Sequence, residues 1–475
     1  MAAGRPGPLT TSVIELARGV AGSNDPALAG AGRRALARLQ QRLCLAVVGR
    51  VSAGKSTLLN ALLGDAVSPT AGGECTQVVY VFRDGDYPSA HAVMRDGSDP
   101  RLVVFDNGRL PAKMPAPAKD IERVDVTLPA APFLENTILI DTPGMASTNT
   151  ERSAVAMRLV ADTENAAVAA DALLFCVNGS LRDDEAEAVK AFRAGAGGAR
   201  LTGGTALAVL TKADQRTDNR RTTWKYASNL ARQMSNDHAD LFAGVVPLIG
   251  LLAETATTGA LRERHARALA RLAAERNADE TDDLLVPEDL FYEAKSSVSV
   301  DERRELMRLL GQFGLAELLE ALRGGTPPHA AALTAVARAV SGFDEMRARL
   351  AVALGKRADA LKANAALQQL MDQAHAVGDG SVYSAAQNLL DRPEMFPLRV
   401  LEMARLLGSG RVRPPAGLAE QAWVLITTGL APVPAREAAQ NATAWRDWAA
   451  LTDGAGRFAA RVMVRAWQLA VADDR

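Results

Sequence analysis

The sequence predicts an α/β domain with a mostly parallel sheet, helices on both faces, followed by an all-α helical bundle. Three observations carry that expectation. From Leu43 to Gly250, short β-rich apolar runs alternate with helical patterns: "LCLAVVG", "VVYVF", "RLVVF", "VDVTL", "TILID", "DALLFCV", "TALAVL" and "VVPLIG". Strands buried on both faces read as unbroken apolar runs, and their alternation with helices marks parallel crossovers. After Leu251 the strands stop, and residues 252–475 read as helices rich in Ala, Leu, Arg and Glu. Finally, 475 residues are too many for one simple core. The expected division is an N-terminal helical segment at 1–41, the α/β domain at 42–255 and the helical second half at 256–475.

The elements follow in order. "AGRRALARLQQRL" sets Leu36, Leu39 and Leu43 at 3–4 spacing, the pattern of an amphipathic helix. A short isolated helix is marginal in water, so this one is expected to pack on the C-terminal helices. For the section from Ala90 to Pro129, hairpin-like signals at "RDGD" just ahead of it and at "RDGSDP" and "DNGR" within it predict antiparallel strands. In the second half, breaks fall at "ADETDDLLVPEDL", "GGTPPH", "GDGS" and "RPPAG". The segment Pro328–Ala376 predicts one long helix, with Leu333, Val336, Val340, Phe343, Leu350, Leu354 and Leu361 at 3–4 spacing, interrupted by Arg347 and Arg357. A stalk helix and a bundle core share this pattern. "GGTPPH" and the acidic stretch from Asp279 to Glu288 serve equally well as hinges or connectors.

Composition excludes several classes. A net charge of -1 rules out polyanion binding by bulk electrostatics, and nothing supports an RNA-directed role. Cys44, Cys75 and Cys176 lack CxxC spacing, fit a reducing cytosol and exclude a disulfide framework. The N-terminus has no apolar core of signal-peptide length, and no run of 18 apolar residues predicts a membrane span. A cytoplasmic location is expected. No His/Cys/carboxylate cluster has zinc spacing, and no serine-hydrolase elbow occurs.

Chemistry concentrates in "LCLAVVGRVSAGKSTLLNALLG". Gly49-x4-Gly54-Lys55-Ser56 is a complete P-loop signature between a strand and a helix. The glycines let successive N–H groups point inward at phosphate oxygens, and the helix start adds its dipole. Lys55 is expected to reach the β- and γ-phosphates and Ser56 to ligate Mg²⁺. Gly49, Ser52, Ala53, Gly54, Lys55, Ser56 and Thr57 form the expected nucleotide cradle. In "TILIDTPGMAST", Asp141 ends a strand where it can hold Mg²⁺ through water, and Gly144 can offer its N–H to the γ-phosphate. In "LAVLTKADQ", the Asp214 carboxylate can accept N1–H and the 2-amino group of guanine, a pair of donors that adenine lacks. Lys212 can lay its stem along the base, and Thr211 begins the motif. Thr76, just before a strand, is chosen over Thr70 to ligate Mg²⁺ and close on the γ-phosphate. Gly250 is expected to add backbone contacts beside the base.

The order of GRVSAGKST, a lone Thr, DTPG and TKAD resembles the dynamin superfamily of large GTPases. Ser52 in "SAGKS", the long stretch before DTPG and helical sequence on both flanks favour it over smaller GTPases. "LMRLLGQFGLAELLEALRGG" and "RADALKANAALQQL" look like the actinobacterial group containing the isoniazid-inducible and sporulation dynamins. The specific motifs span about the first 255 residues. The resemblance implies a GTP hydrolase using Mg²⁺ that dimerises through its GTPase domains and moves a helical stalk at a membrane. It assigns Lys55, Ser56, Thr76 and Asp141 to phosphate and metal, Ser52 to transition-state charge, and Thr211, Lys212 and Asp214 to guanine. The chain departs at Val51, where eukaryotic dynamins place a water-positioning glutamine. Backbone groups with Thr76, slow hydrolysis or a partner's group are the ways open. Arg50 can stabilise charge, but a solvated loop arginine is the better expectation.

Contact with acidic lipid is expected, if anywhere, within 376–417, where Met395, Phe396, Leu398, Val400 and Leu401 lie beside Arg392, Arg399 and Arg405. Packing into the bundle is the favoured alternative there, as it is for Trp445, Trp448, Leu451, Phe458 and Val462. Two partner arrangements stay open: a membrane-acting homodimer, or a scaffold or hetero-partner of another dynamin-like protein.

Overall fold

The computed structural model describes residues 7–68, 78–111, 113–143, 170–183, 185–187, 189, 206–216, 220–239, 241–285, 288–351, 358–408, 410–428 and 437–473. Among them, nine strands form one sheet: β1 (Leu43–Gly49), β2 (Tyr80–Asp84), β3 (Ser89–Met94), β4 (Arg101–Leu102), β5 (Ile121–Leu128), β6 (Thr137–Asp141), β7 (Ala172–Val177), β8 (Ala206–Leu210) and β9 (Val245–Pro247). Their order is β4-β3-β5-β2-β6-β1-β7-β8-β9. β1 pairs in parallel with β6 and β7, and β7–β8 and β8–β9 continue in parallel. Every residue of β1, β7 and β8 is buried, which is why their sequences show no alternation.

The antiparallel part differs in detail from its turn signals. β3 and β4 form the hairpin expected across "RDGSDP". β2 and β3, on either side of "RDGD", are not partners: β5 lies between them, parallel to β2 and antiparallel to β3. A turn motif reports only a local reversal, and the longer β5 offers β2 a better-packed partner than the next strand does. In "DNGR", Asn107 and Gly108 both have positive φ, as a type I′ turn requires, closing one isolated bridge between Asp106 and Arg109.

Four helices flank or follow the strands: α1 (Pro8–Ala21), α2 (Pro26–Gln40), α3 (Lys55–Leu63) and α4 (Thr223–Asp237). Then come α5 (Gly250–Thr257), α6 (Glu263–Glu275), α7 (Ala278–Leu285), α8 (Glu288–Glu293), α9 (Val300–Arg323), α10 (Ala330–Ser341), α11 (Phe343–Leu350) and α12 (Ala358–Val377). The last are α13 (Gly380–Leu390), α14 (Phe396–Gly408), α15 (Ala416–Thr428), α16 (Ala438–Ala450) and α17 (Gly454–Asp473). Leu43, Leu45 and Val47 of β1 join one core with α1, α2, α3, α11 and α12; Cys44, Ala46 and Val48 join the opposite core with Ala231 and Met234 of α4. Both faces of the sheet are therefore covered. A third core unites α5 to α10, and a fourth unites α14 to α17.

The first helix meets the second half of the chain. Asp359, at the start of α12, accepts the Leu9 and Thr10 N–H groups at 2.9 Å each, capping α1 from 350 residues away. Arg38 of α2 forms a buried ion pair with Asp171 below β7, at 2.6 Å. Of the apolar residues offered as a lipid-facing tip, Met395, Leu398, Val400 and Leu401 are buried and Phe396 is half-buried against the core that includes Val400. Arg399 donates to the Leu390 carbonyl at 2.6 Å, and Arg405 pairs with Glu402 at 2.8 Å. Trp445 is buried too, edge-on to Trp448, with its indole N–H on Gln421. No helix among the described residues is long and apolar enough to cross a membrane.

The long helix expected over Pro328–Ala376 is broken. Gly342, at φ +79°, separates α10 from α11, and the Ile249 N–H bonds to the Ser341 carbonyl at 2.9 Å. The apolar spacing runs on across the break because both short helices bury the same kind of face. A Cβ at Gly342 would stand 2.7 Å from the Trp224 ring and 2.9 Å from the Pro247 carbonyl oxygen. Gly342→Ala is expected to lower stability by about 2 kcal/mol or more, since backbone strain and overlap act together. Urea unfolding followed by circular dichroism checks this; an unchanged midpoint refutes it.

Candidate functional site

The P-loop is built from the end of β1. Gly49 at φ +154° lies opposite Cys176 of β7, and a Cβ there would stand 2.5 Å from the Cys176 carbonyl oxygen. Only glycine lets the chain leave the sheet this close to its neighbour. Ser52 and Gly54 both have positive φ, +63° and +80°, so the loop coils before α3 begins at Lys55. Coiling of this kind turns main-chain N–H groups into a shared concavity for anions. Lys55 Nζ donates to the Gly49 and Arg50 carbonyls at 3.0 and 2.9 Å, so its ammonium already lies over the loop. Ala53 is buried beneath the loop, Ser52 is exposed, and Ser56 and Thr57 are half-buried on the first turn of α3.

Asp141 ends β6, paired in register with Val47 of β1. Its carboxylate is buried, and Oδ1 has no hydrogen-bond partner. Burial pushes its pKa up to about 7, while the nearby Lys55 charge acts in the opposite sense. A buried carboxylate oxygen without a donor is costly until a cation or donor meets it. The residue thus fits the Mg²⁺ role expected of it. Next to it, the Thr142 hydroxyl donates to the Val47 carbonyl at 2.9 Å and ties the end of β6 to β1.

The residues expected to face the base share one cavity with the loop. Gly54, Thr57, Thr211, Lys212, Asp214 and Gly250 all line a cavity of about 1170 Å³. Gly250 opens α5 against Thr57, where an added Cβ would lie 3.4 Å from the Thr57 methyl. Lys212 adopts positive φ, +51°, and stands half-exposed with Asp214 at the cavity wall. Thr211 is different. It is buried, and its hydroxyl reaches the Ala53 carbonyl at 2.9 Å and the Val177 carbonyl at 3.1 Å. These two contacts are with main chain and strap the P-loop to the ends of β7 and β8. Thr76 with its rival Thr70, and Gly144, lie outside the described residues.

Residues 45–180, from β1 through the P-loop and Asp141 to just past β7, match the family described as the Dynamin family. The isoniazid-induced protein IniC of Mycobacterium tuberculosis is 32% identical over 298 residues, covering 61% of this chain. By these matches the present chain is dynamin-like. The chain spans about 58% of the length of that curated relative. A bacterial dynamin-like protein of Nostoc punctiforme is 32% identical over 116 residues, 22% of this chain and 17% of its own. A solved oligomerised bacterial dynamin pair aligns over 98% of this chain and 75% of that one, at 14% identity. Its TM-score of 0.34 is too low to bear on the arrangement.

Two more residues bear on the site of this dynamin-like protein, and the second of them escapes a motif search. Val51 is 59% exposed on the loop surface, so its side chain offers the site neither a hydrogen bond nor cover. Asn60, buried on α3, grips Ser68 in both directions: Nδ2 donates to the Ser68 carbonyl at 3.2 Å, and Oδ1 accepts the Ser68 N–H at 2.8 Å. Its amide also reaches Glu254 Oε1 on α5 at 2.7 Å. The clamp fixes the chain immediately before the stretch that carries Thr70 and Thr76. One signal for it was present: a lone amide inside the apolar run "LLNALLG" needs buried partners.

Proposed function

We propose that this chain binds guanine nucleotides and hydrolyses GTP. On this reading Lys55 and the coiled loop hold the phosphates, Ser56, Asp141 and Thr76 hold Mg²⁺, and Lys212 and Asp214 read the base. The observation that carries it is the buried, unpartnered Asp141 oxygen at the end of β6 beside the P-loop lysine. When bound, Mg²⁺ neutralises charge on the β- and γ-phosphate oxygens. The chain's own part is positional. Lys55 exchanges its two carbonyl acceptors for phosphate oxygens, and the loop N–H groups line the concavity that receives them. Ser52, at positive φ, turns the loop where charge develops, and Gly144 offers its N–H to the γ-phosphate. Val51 cannot orient the attacking water, so that task falls to main-chain groups and Thr76, with a low rate for the isolated chain.

Dimerisation through the α/β domains and movement of a helical stalk at a membrane complete the proposal, supported by membership among bacterial dynamin-like proteins. A second reading has its own support: Met395, Leu398, Val400 and Leu401 are buried, which favours a GTP-switched scaffold or hetero-partner of another dynamin-like protein. One experiment separates them: GTP turnover against protein concentration, with and without acidic liposomes. Turnover per chain that rises steeply with concentration and again with liposomes supports the membrane-acting dimer. Concentration-independent turnover, indifferent to lipid in every nucleotide state, removes it in favour of the second.

A further inference from the structure

The guanine-side loop does not end free. After Asp214 the chain enters the turn Arg220–Thr222 that opens α4. The Arg220 guanidinium, 14% exposed, meets three carboxylates from helices beyond the α/β domain. Nε and Nη2 take both oxygens of Asp282 on α7 at 2.9 and 3.2 Å. Nη1 donates to Glu317 and Nη2 to Glu320, both on α9 and both at 2.6 Å. Glu317 and Glu320 are three apart, so they share a helix face and close on the same cation. A forked, bidentate arginine contact fixes direction as well as distance.

The same cavity that Lys212 and Asp214 line has Tyr292 of α8 and Met307, Phe313 and Ala316 of α9 on its other wall. Ala213, between the two base-side residues, is fully buried in the core that includes Leu310 and Phe313. One wall of the base pocket is therefore supplied by α8 and α9, and Arg220 ties the opposite wall to it. Removing the guanidinium leaves three carboxylates facing one another without their shared counter-charge, which drives the walls apart.

The geometry points to Arg220 as a positioning residue for guanine recognition, one that makes the base pocket depend on where α7 and α9 sit. This rests on the guanine reading of Asp214. The coupling runs both ways: whatever displaces α9 loosens the nucleotide, and a bound base holds α9 in place.

The test uses the full chain, with fluorescent GDP binding, ADP competition and GTP steady-state kinetics. Arg220→Ala and the double variant Glu317→Gln, Glu320→Gln act on opposite sides of the contact, and the melting temperature of each is read beside its binding. Each is expected to raise the GDP Kd and the GTP KM about tenfold while kcat changes by less than about twofold, and Arg220→Lys to recover part of the loss. A purely structural role would instead lower the melting temperature with KM unmoved. If the native chain prefers GDP to ADP and both variants bind GDP as it does, the Arg220 assignment is overturned and the guanine reading stands. If the native chain shows no guanine preference, both fall together.

Discussion

Lys55→Ala is expected to reduce GTP kcat/KM by about 10²–10³-fold, the usual loss when one preorganised donor to developing charge is removed. The side chain lies half-buried with its ammonium on the Gly49 and Arg50 carbonyls, so alanine removes charge with little loss of packing. Circular dichroism and the melting temperature should stay near those of the native chain. The measurement is steady-state phosphate release together with fluorescent-nucleotide binding. Turnover within tenfold of native would show that another cation serves the phosphates, and the P-loop assignment would fail. A parallel loss of secondary structure would point instead to the lysine's role in bracing its own loop.

The second large effect belongs to Asp214. Asp214→Asn replaces a charged acceptor of two hydrogen bonds with an amide that can accept at one atom and presents donors at the other. Two charge-assisted bonds, at 1.5–3 kcal/mol each, set the scale, so GDP affinity is expected to fall about 10²-fold or more. Guanine preference over adenine should vanish with it, because a polar group made to pair with the base is what rejects the wrong one. Competition between GDP and ADP for a fluorescent guanine nucleotide reads this directly. Retained preference in the variant would assign base recognition to main-chain groups near Gly250.

These two residues belong to what was legible in the sequence, and the reason is physical. The P-loop works through backbone conformation fixed by glycines at set spacing, so Gly49, Gly54 and Lys55 can be read without knowing the fold. Asp141 and Asp214 follow apolar runs, and strand ends are where side chains reach a site over a parallel sheet. Contacts across the chain are another matter. Thr211 reads as part of the guanine motif, yet its hydroxyl meets the Ala53 carbonyl, 158 residues away. Glu317 and Glu320 look like an ordinary solvated face of α9 until Arg220 arrives from 97 and 100 residues upstream. Gly342 was hidden by apolar spacing that satisfies one long helix and two short ones equally. The "RDGD" turn does reverse the chain, but which strand fills the neighbouring place depends on β5, whose pairing is not local.

The capping of α1 by Asp359 also bears on how the protein is made. Ribosomes deliver roughly 5–20 residues per second. On that scale α1 and α2 emerge on the order of tens of seconds before α12, the helix that covers them and satisfies two N–H groups at the start of α1. During that interval the surfaces of α1 and α2 that α12 covers stay in water, with the part of the sheet face they share. Completion of the α/β domain is therefore a late event in synthesis, set by the arrival of the second half, and a nascent chain stalled before residue 358 should be a preferred client of chaperones and proteases.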